Sequence, residues 1–355
     1  MRHGITVVGS YLVGLSVKGE RIPKVAETLI GDAFYEGGGG KGSNQAVAAA
    51  KLGGDVRFVG RIGRDRYGDD ALKMYAATGV SVERVIRDDA APTGVGLIFV
   101  DKDGNNSIMV ALGASDRLSE TDIDACAELF ARSAIVAFQL ENRLEIVDYG
   151  IRKAHAVGAT VLLDPAPARP LPADLYPCID IIKPNEVEAA TLSGIAVTDF
   201  ASAEAAGRWF LAQGVKTAIV TLGAQGAVVV DAAGARRFTP PRPPSAPVDS
   251  TGAGDTFSGA LMAALSRGEA LDEAIRFAIA AATLSVTKPG VIESIPTIDE
   301  TRTLWDENER NDHQGTDAGG LFGSGIRQAA GRGLLALRAA RQRRARGTRE
   351  RPRHH

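Results

Sequence analysis

The chain is poor in sulfur and in rings: of its 355 residues two are cysteine, and aromatics make up 5%. Cys126 and Cys178 stand at a spacing that matches no metal site, and so few thiols suit a reducing cytoplasm. No run approaches the ~18 consecutive apolar residues that a membrane span needs. The N-terminus enters the strand-like "ITVVGS" (5–10) with no charged-then-apolar leader, so neither insertion nor export is expected. The net charge, -2, is small but unevenly spread. From Asn311 onward ten arginines face three acidic residues, Asp312, Asp317 and Glu350, which gives that tail +7 and the remainder -9. An arginine-rich end raises contact with nucleic acid, yet no aromatic residue is interleaved with the arginines, so base stacking is unsupported. With "GTDAGGLFGSG" (315–325) before it, residues 306–355 are expected to be a Gly-rich linker and a disordered, Arg-rich extension outside the fold.

What remains is the composition of a globular α/β protein: 45% hydrophobic, 24% charged, and 41 glycines for tight turns and close helix packing. Between residues 130 and 305 apolar strands alternate with helical patterns. "AIVAFQLE" (134–141) reads as a buried strand followed by a helix through about Val157, and "TVLLDPAPA" (160–168) as a strand ending in a Pro-rich loop. "DIIKPNE" (180–186) is a shorter strand before a helix, and "TAIVTLGAQGAVVVD" (217–231) two strands about a Gly turn. Such alternation predicts a mostly parallel sheet with helices on both faces. Ligands bind beyond the carboxyl ends of such strands, and Glu141, Asp164, Asn185, Glu188, Thr221 and Gly223 all fall there. The first third differs, and residues 11–38 have little helical period. Residues 11–38 and the hairpin-like 93–112, turning near "KDGNN", are expected to form a small β-sheet lid, of the kind that keeps water from a phosphoryl acceptor.

Two glycine clusters stand out. In "STGAGDTF" (250–257) the helical period begins at Phe257 and continues through Leu261, Ala264 and Leu265, so Gly252, Ala253 and Gly254 sit at a helix start. The first N–H groups of a helix have no intrahelical partner, and the dipole favours an anion there. Asp255 is then a carboxylate beside an anion hole. The second cluster, "GGGGKGSNQAVAAAKLG" (37–53), precedes a small-residue helix, Ala46 to Leu52, with Lys41 and Asn44 as polar contacts. It follows a lid segment and not the first strand of a βαβ unit, which counts against a dinucleotide motif, and Gly42 after Lys41 breaks the Walker A pattern.

Together these segments resemble the ribokinase-like (PfkB) carbohydrate kinases. "GGKGSNQAVAAAKLG" is similar to their N-terminal signature and "DSTGAGDTFSGAL" to their C-terminal one, and "DPAPAR" (164–169), "KPNEVE" (183–188), "VTLGAQG" (220–226) and "AIRFAIAAATLSVTKPG" (274–290) resemble the ribose-specific branch. The likeness covers about residues 4 to 300 and implies one kinase domain over 1–305. It implies that Asp255 is the catalytic base and that the N–H groups of Gly252, Ala253 and Gly254 are the anion hole. Gly40, Lys41, Asn44 and Glu141 match sugar contacts, with Asp255 among them. Asn185, Thr221, Gly223, Gly226 and Gly254 match nucleotide contacts, and Asn185 and Glu188 organise phosphates and Mg²⁺ through water. Asp249, Thr251, Lys288, Gly290 and Ser294 match loops that hold a monovalent cation, normally K⁺. The implied reaction is ATP-dependent phosphorylation of a sugar hydroxyl, D-ribose to D-ribose 5-phosphate, in a homodimer joined through its lids. A nucleoside, a deoxy or keto sugar as acceptor, or a non-catalytic binding protein, are the alternatives.

Three positions depart from the pattern. After "GS" the ribose-specific members carry Asn and, two residues on, an Asp that holds two ribose hydroxyls, whereas this chain has Leu12 and Gly14. Ser115 stands where Asn is usual, and Ile279 where a polar residue often lies near the base. The role of Asp164 stays open, and His155 is assigned none. The phosphate machinery is complete and the sugar pocket is altered.

Overall fold

The computed structural model describes residues 2–306, so the expected linker and arginine-rich tail lie, apart from Asp306, outside the described residues. In chain order the strands are β1 (Ile5–Val8), β2 (Leu12–Lys18), β3 (Ala33–Gly39), β4 (Val56–Gly63), β5 (Ser81–Asp88), β6 (Thr93–Val100) and β7 (Asn106–Gly113). They continue with β8 (Ile135–Phe138), β9 (Thr160–Leu163), β10 (Ile181–Ile182), β11 (Thr217–Thr221), β12 (Ala227–Asp231) and β13 (Gly234–Phe238). Among the described residues the helices include α1 (Lys41–Lys51), α2 (Arg66–Thr78), α3 (Glu120–Asp124), α4 (Ala127–Arg132), α5 (Leu144–Ala156), α6 (Glu186–Ser193), α7 (Phe200–Ala212), α8 (Ala253–Ser266) and α9 (Leu271–Ser285).

The main sheet runs β13, β12, β11, β10, β9, β8, β1, β4, β5. From β11 to β5 neighbouring strands are parallel, and β12 and β13 add an antiparallel edge. β1 and β8 are buried along their whole lengths, as continuous apolar runs must be in a parallel sheet covered on both faces. One face packs Ile5, Val7 and Ala137 against residues of α1, α2, α8 and α9; the other packs Val8, Val136 and Phe138 against residues of α3 to α7. The chain runs outward from β1 to β4 and β5, then returns to place β8 on the opposite side of β1. The crevice beyond β1 and β8 is therefore the topological switch point where such sheets bind ligands.

The expected lid is a separate four-stranded sheet, ordered β3, β2, β6, β7. Its registers set Gly37 opposite Gly14, Gly14 opposite Gly96 and Gly96 opposite Val110, so one row across the lid is nearly bare of side chains.

One boundary differs from the sequence reading: α1 begins at Lys41 and not near Ala46. Gly, Ser and Asn are poor helix formers, but packing overrides propensity here. A Cβ on Gly42 would stand 2.7 Å from the Cα of Gly9, a close approach that only glycine permits and that seats the first turn of α1 against the end of β1.

Candidate active site

Each expected site residue on the main sheet lies just past the carboxyl end of a parallel strand. Glu141 follows β8 and sits at the switch point, where its Oε2 accepts a hydrogen bond from the hydroxyl of Ser10, beyond β1, and another from the backbone N–H of Lys41 at 2.8 Å. A cavity of about 340 Å³ opens beside it, between Val110 and Leu112 of the lid and Leu140, Glu141, Pro167 and Arg169 below. Leu12 and Gly14 share the lid face that carries Val110, and neither offers a hydrogen-bonding side chain there.

α1 and α8 bring their N-terminal ends to this crevice. Asp255, 6% exposed, lies in the first turn of α8 and is gripped at both oxygens: Asn44 Nδ2 donates to Oδ2 at 2.8 Å and Gln45 Nε2 to Oδ1 at 3.1 Å. The carboxylate is held in one orientation and keeps lone pairs for a third donor. Asn44 Oδ1 is buried without a partner among the described residues, an acceptor suited to a ligand hydroxyl. Gly252 caps α8 at φ 76°, where a Cβ would stand 2.6 Å from Val291 Cγ1. The Ala253 N–H reaches Ser250 O at 3.3 Å, whereas among the described residues no backbone acceptor takes those of Gly252 or Gly254. The anion hole expected over 252–254 thus rests on two freer donors and one already engaged.

Asp164, whose role the sequence left open, is 2% exposed and belongs to this centre. Its Oδ2 receives Lys183 Nζ at 2.8 Å, Gln45 Nε2 at 2.8 Å and Ser258 Oγ at 3.2 Å. Lys183 also donates to Gly254 O at 3.3 Å. Sequence reasoning missed Gln45, Lys183, Gln139 and Ser10. Their signal was faint but present: Gln45 interrupts an otherwise small-residue helix, and Lys183 follows a buried strand directly.

Asn185 and Glu188 form a reciprocal capping box at the start of α6: Asn185 Oδ1 accepts from the Glu188 N–H at 2.9 Å, and Glu188 Oε2 from the Asn185 N–H at 2.8 Å. Asn185 is bridged to Thr221 of β11, whose N–H donates to Pro184 O at 3.0 Å, so these residues adjoin. Gly223 is exposed on the turn after β11, and Gly226, at φ 101°, closes it where a Cβ would collide with Phe238 O at 2.0 Å. Asp249 joins the two loops expected to hold a monovalent cation, accepting from the N–H groups of Thr251 at 2.9 Å and Gly290 at 3.3 Å. Ser294 is buried and donates to Val291 O at 2.9 Å, while the Lys288 ammonium pairs with Glu300 at 3.0 Å. Of the departures, Ser115 bonds both backbone groups of Tyr11, and Ile279 is core.

The charges interact across the crevice. Burial pulls the Lys41 ammonium down, but the carboxylates of Asp255, Asp164, Glu141 and Glu188 outweigh it and leave its pKa raised. Burial raises Glu141, partly offset by the Ser10 hydroxyl, the Lys41 N–H and the Lys41 charge. Burial also raises Glu188, with the Asp164 charge adding to it.

A parallel sheet that gathers an amide-clamped carboxylate, an ammonium and a helix N-terminus beneath a β lid defines a small-molecule kinase. The chain belongs to the pfkB family of carbohydrate kinases, whose family model matches residues 2–298. It is 40% identical over 301 residues to the ribokinase of Haemophilus influenzae, covering 85% of this chain and 98% of that one. It is 35% identical over 306 residues to the deoxyribokinase of Salmonella typhi, covering 86% and 99%. A solved structure described as Arabidopsis thaliana ribokinase complexed with ribose and ATP superposes with a TM-score of 0.78 at 32% identity, over 86% of this chain and 99% of that chain. The chain is thus an ATP-dependent sugar kinase with the expected α/β fold. Among the described residues no helix is long and apolar enough to cross a membrane.

Proposed function

We propose that the chain transfers the γ-phosphoryl group of ATP to the 5-hydroxyl of D-ribose, with Asp255 as the base. The observation that carries this reading is the clamp on Asp255: two amides fix its oxygens beside the N–H groups of Gly252 and Gly254, which no backbone acceptor takes among the described residues. Asp255 takes the hydroxyl proton as the oxygen attacks, and the α8 N-terminus with Lys41 meets the charge that develops on the phosphoryl oxygens. Glu141 and Asn44, with Gly40 and Lys41, orient the sugar, and the lid closes over it. Asn185, Thr221, Gly223 and Gly226 form the nucleotide side. The ribokinase relatives support ribose as the acceptor.

The residues present fit Mg²⁺. Only Oε2 of Glu188 is committed to the capping box, which leaves its Oε1 as a hard oxygen donor. Glu188 would hold the ion through water, as a cation that keeps its hydration shell prefers. Mg²⁺ supplies charge neutralisation and alignment of the β- and γ-phosphates. The carbonyls around Asp249, Thr251, Lys288, Gly290 and Ser294 would hold K⁺. The exposed apolar side chains of the lid, among them Phe34, Tyr35, Ile108 and Met109, suit a homodimer through that sheet. The two free thiols fit a cytoplasmic setting.

A second reading follows from one observation: Leu12 and Gly14 give the lid face no hydroxyl partner. A deoxy sugar loses nothing at such a surface, whereas a buried unpaired hydroxyl costs about 1–3 kcal/mol. The test is initial-rate kinetics with Mg-ATP and a panel of pentoses, hexoses and nucleosides, with and without potassium, beside Asp255→Asn. Ribose turnover that falls by about 10²–10⁴ in the variant supports the proposal. A higher kcat/KM for 2-deoxyribose than for ribose moves the substrate to the second reading. No acceptor-dependent ADP release in either protein ends the kinase mechanism proposed for Asp255.

A further inference from the structure

We infer that Lys183 and Asp164 are a positioning pair that sets the base of this reaction through the amide of Gln45. The inference rests on Asp255 acting as that base. The pair is deeply buried, with side chains 4% and 2% exposed and Nζ 2.8 Å from Oδ2. It is tied to Asp255 by two routes. Lys183 donates to the carbonyl of Gly254, so the ammonium joins the end of β10 to the turn that carries the base. Asp164 Oδ2 accepts from one N–H of Gln45 at 2.8 Å, and Gln45 Nε2 also donates to Asp255 Oδ1 at 3.1 Å, so a single amide spans both carboxylates.

The orientation of that amide is forced. Gln139 Nε2 donates to Gln45 Oε1 at 2.7 Å. Turned over, Gln45 would set its oxygen against two carboxylates and its NH₂ against another NH₂. The Gln45 amide therefore has one compatible orientation, and Ser258, one turn down α8 from Asp255, secures the same Asp164 oxygen at 3.2 Å.

A buried ion pair is a weak device for stability, because apolar residues of similar volume often serve as well or better. Its location argues for another use. Six charged groups face one another here: Lys41 from α1, Glu141 beyond β8, Asp164 beyond β9, Lys183 beyond β10, Glu188 on α6 and Asp255 on α8. Four are acids and two are bases. Remove Lys183 and Asp164 loses its hydrogen-bonded cation, with only the Lys41 charge left among four acids, and it draws the Gln45 amide to itself and away from the base. The sugar contacts at Glu141 and Asn44 remain untouched.

The test is steady-state kinetics, normalised to folded protein by thermal unfolding, of Lys183→Met, Lys183→Met with Asp164→Asn, Gln45→Leu, and Asp255→Asn as reference. Lys183→Met is expected to lower kcat by about 30- to 100-fold, as small misplacements of a reacting group do, with KM for the sugar changed less than about threefold. The double variant is expected to regain about tenfold in kcat, because the amide oxygen introduced by Asp164→Asn still accepts from Gln45 and Ser258 and no charge is stranded. Gln45→Leu is expected to lose kcat with the ion pair intact. A merely structural pair would lower the unfolding temperature and leave kcat per folded molecule unchanged. The inference is overturned if Lys183→Met keeps kcat within about twofold, or if the folded double variant is no faster than the single one. Should Lys183→Met not fold, a wild-type kcat in Gln45→Leu overturns it instead. Wild-type turnover in Asp255→Asn would sink the base assignment itself, a result distinct from either.

Discussion

Gly259 of α8 rests against Ala48 of α1 so closely that a Cβ on the glycine would come within 2.4 Å of the alanine Cβ and 2.7 Å of the Ala49 N. Asp255 and Asn44 lie four residues earlier on the same two helices, one turn above that contact, and there they meet at 2.8 Å. The helix contact is thus the fulcrum of the clamp on Asp255, the proposed base. Gly259→Ala must push the helices apart, an overpacking that costs about 1–3 kcal/mol. The expected result is a lower unfolding temperature together with a fall of about tenfold or more in kcat, since the base loses its amides by displacement. Calorimetry and initial rates on one preparation check both. A destabilised variant with unchanged kcat per folded molecule would show that the fulcrum does not govern the base.

Gly14 offers a cleaner experiment, because its side chain is missing without steric need. A Cβ there would meet only Ile98 Cδ1 at 3.6 Å and Gly37 O at 3.7 Å, ordinary contacts, and its φ is not in the left-handed region. Gly14→Asp should therefore fold, and it supplies a hydroxyl acceptor on the lid face beside the acceptor pocket. The expected outcome is a fall in KM for ribose of about 10-fold, the worth of one hydrogen bond to a charged group, with little change for sugars lacking the ring hydroxyls. An unchanged KM for ribose in the folded variant would mean that position 14 does not face the sugar.

The contrast between Asp255 and Gln45 shows what a single sequence discloses and why. The place of Asp255 in the first turn of α8 was legible because it is written locally, as a carboxylate after small residues at a helix start. The same holds for β8, β9 and β11, whose largely apolar runs announce burial on both faces, whereas β4 and β5, with Arg57, Arg61, Glu83 and Arg84 in their length, carried no such signal. Gln45, Gln139 and Lys183 act through partners 71 to 210 residues away or across strand ends, and no local pattern encodes a long-range hydrogen bond. The first turn of α1 was hidden for a related reason: its residues are poor helix formers, and the turn exists because Gly42 packs on Gly9. Glu188 is expected from the resemblance as a phosphate and metal residue, and what the structure gives it is a place in the capping box of α6.

Glu141 carries a pH dependence whose sign can be worked out. Burial raises its pKa in the folded chain above the ordinary glutamate value of about 4.3. The folded state therefore holds this proton more tightly than the unfolded chain, and the stability so gained is full at low pH and lost as pH rises through the raised pKa. Glu141→Gln has no such loss, and its carbonyl can still accept from Ser10 and the Lys41 N–H. The variant should match the wild type in unfolding temperature below the usual carboxylate range and exceed it increasingly above that range. Its KM for the sugar should rise, because an anionic acceptor is gone. Unfolding temperatures that separate at low pH and converge at high pH would contradict the raised pKa.

Potassium can be tested through the loops that Asp249 ties together. The Val248 and Asp249 N–H groups both reach Val286 O, at 2.7 and 3.2 Å, while the Asp249 carboxylate takes the Thr251 and Gly290 N–H groups. The loop leading into Gly252 is thereby fastened to the loop that follows α9. A cation seated among these carbonyls would stiffen the α8 N-terminus, so its effect belongs in kcat more than in KM for the sugar. Initial rates measured against potassium, at constant ionic strength with tetramethylammonium as replacement, should rise several-fold and saturate in the wild type. Asp249→Ala loosens both loops and should give a lower rate that no longer responds to potassium. A variant stimulated as strongly as the wild type would remove these loops as the cation seat, and a wild type indifferent to potassium would remove the cation from the mechanism.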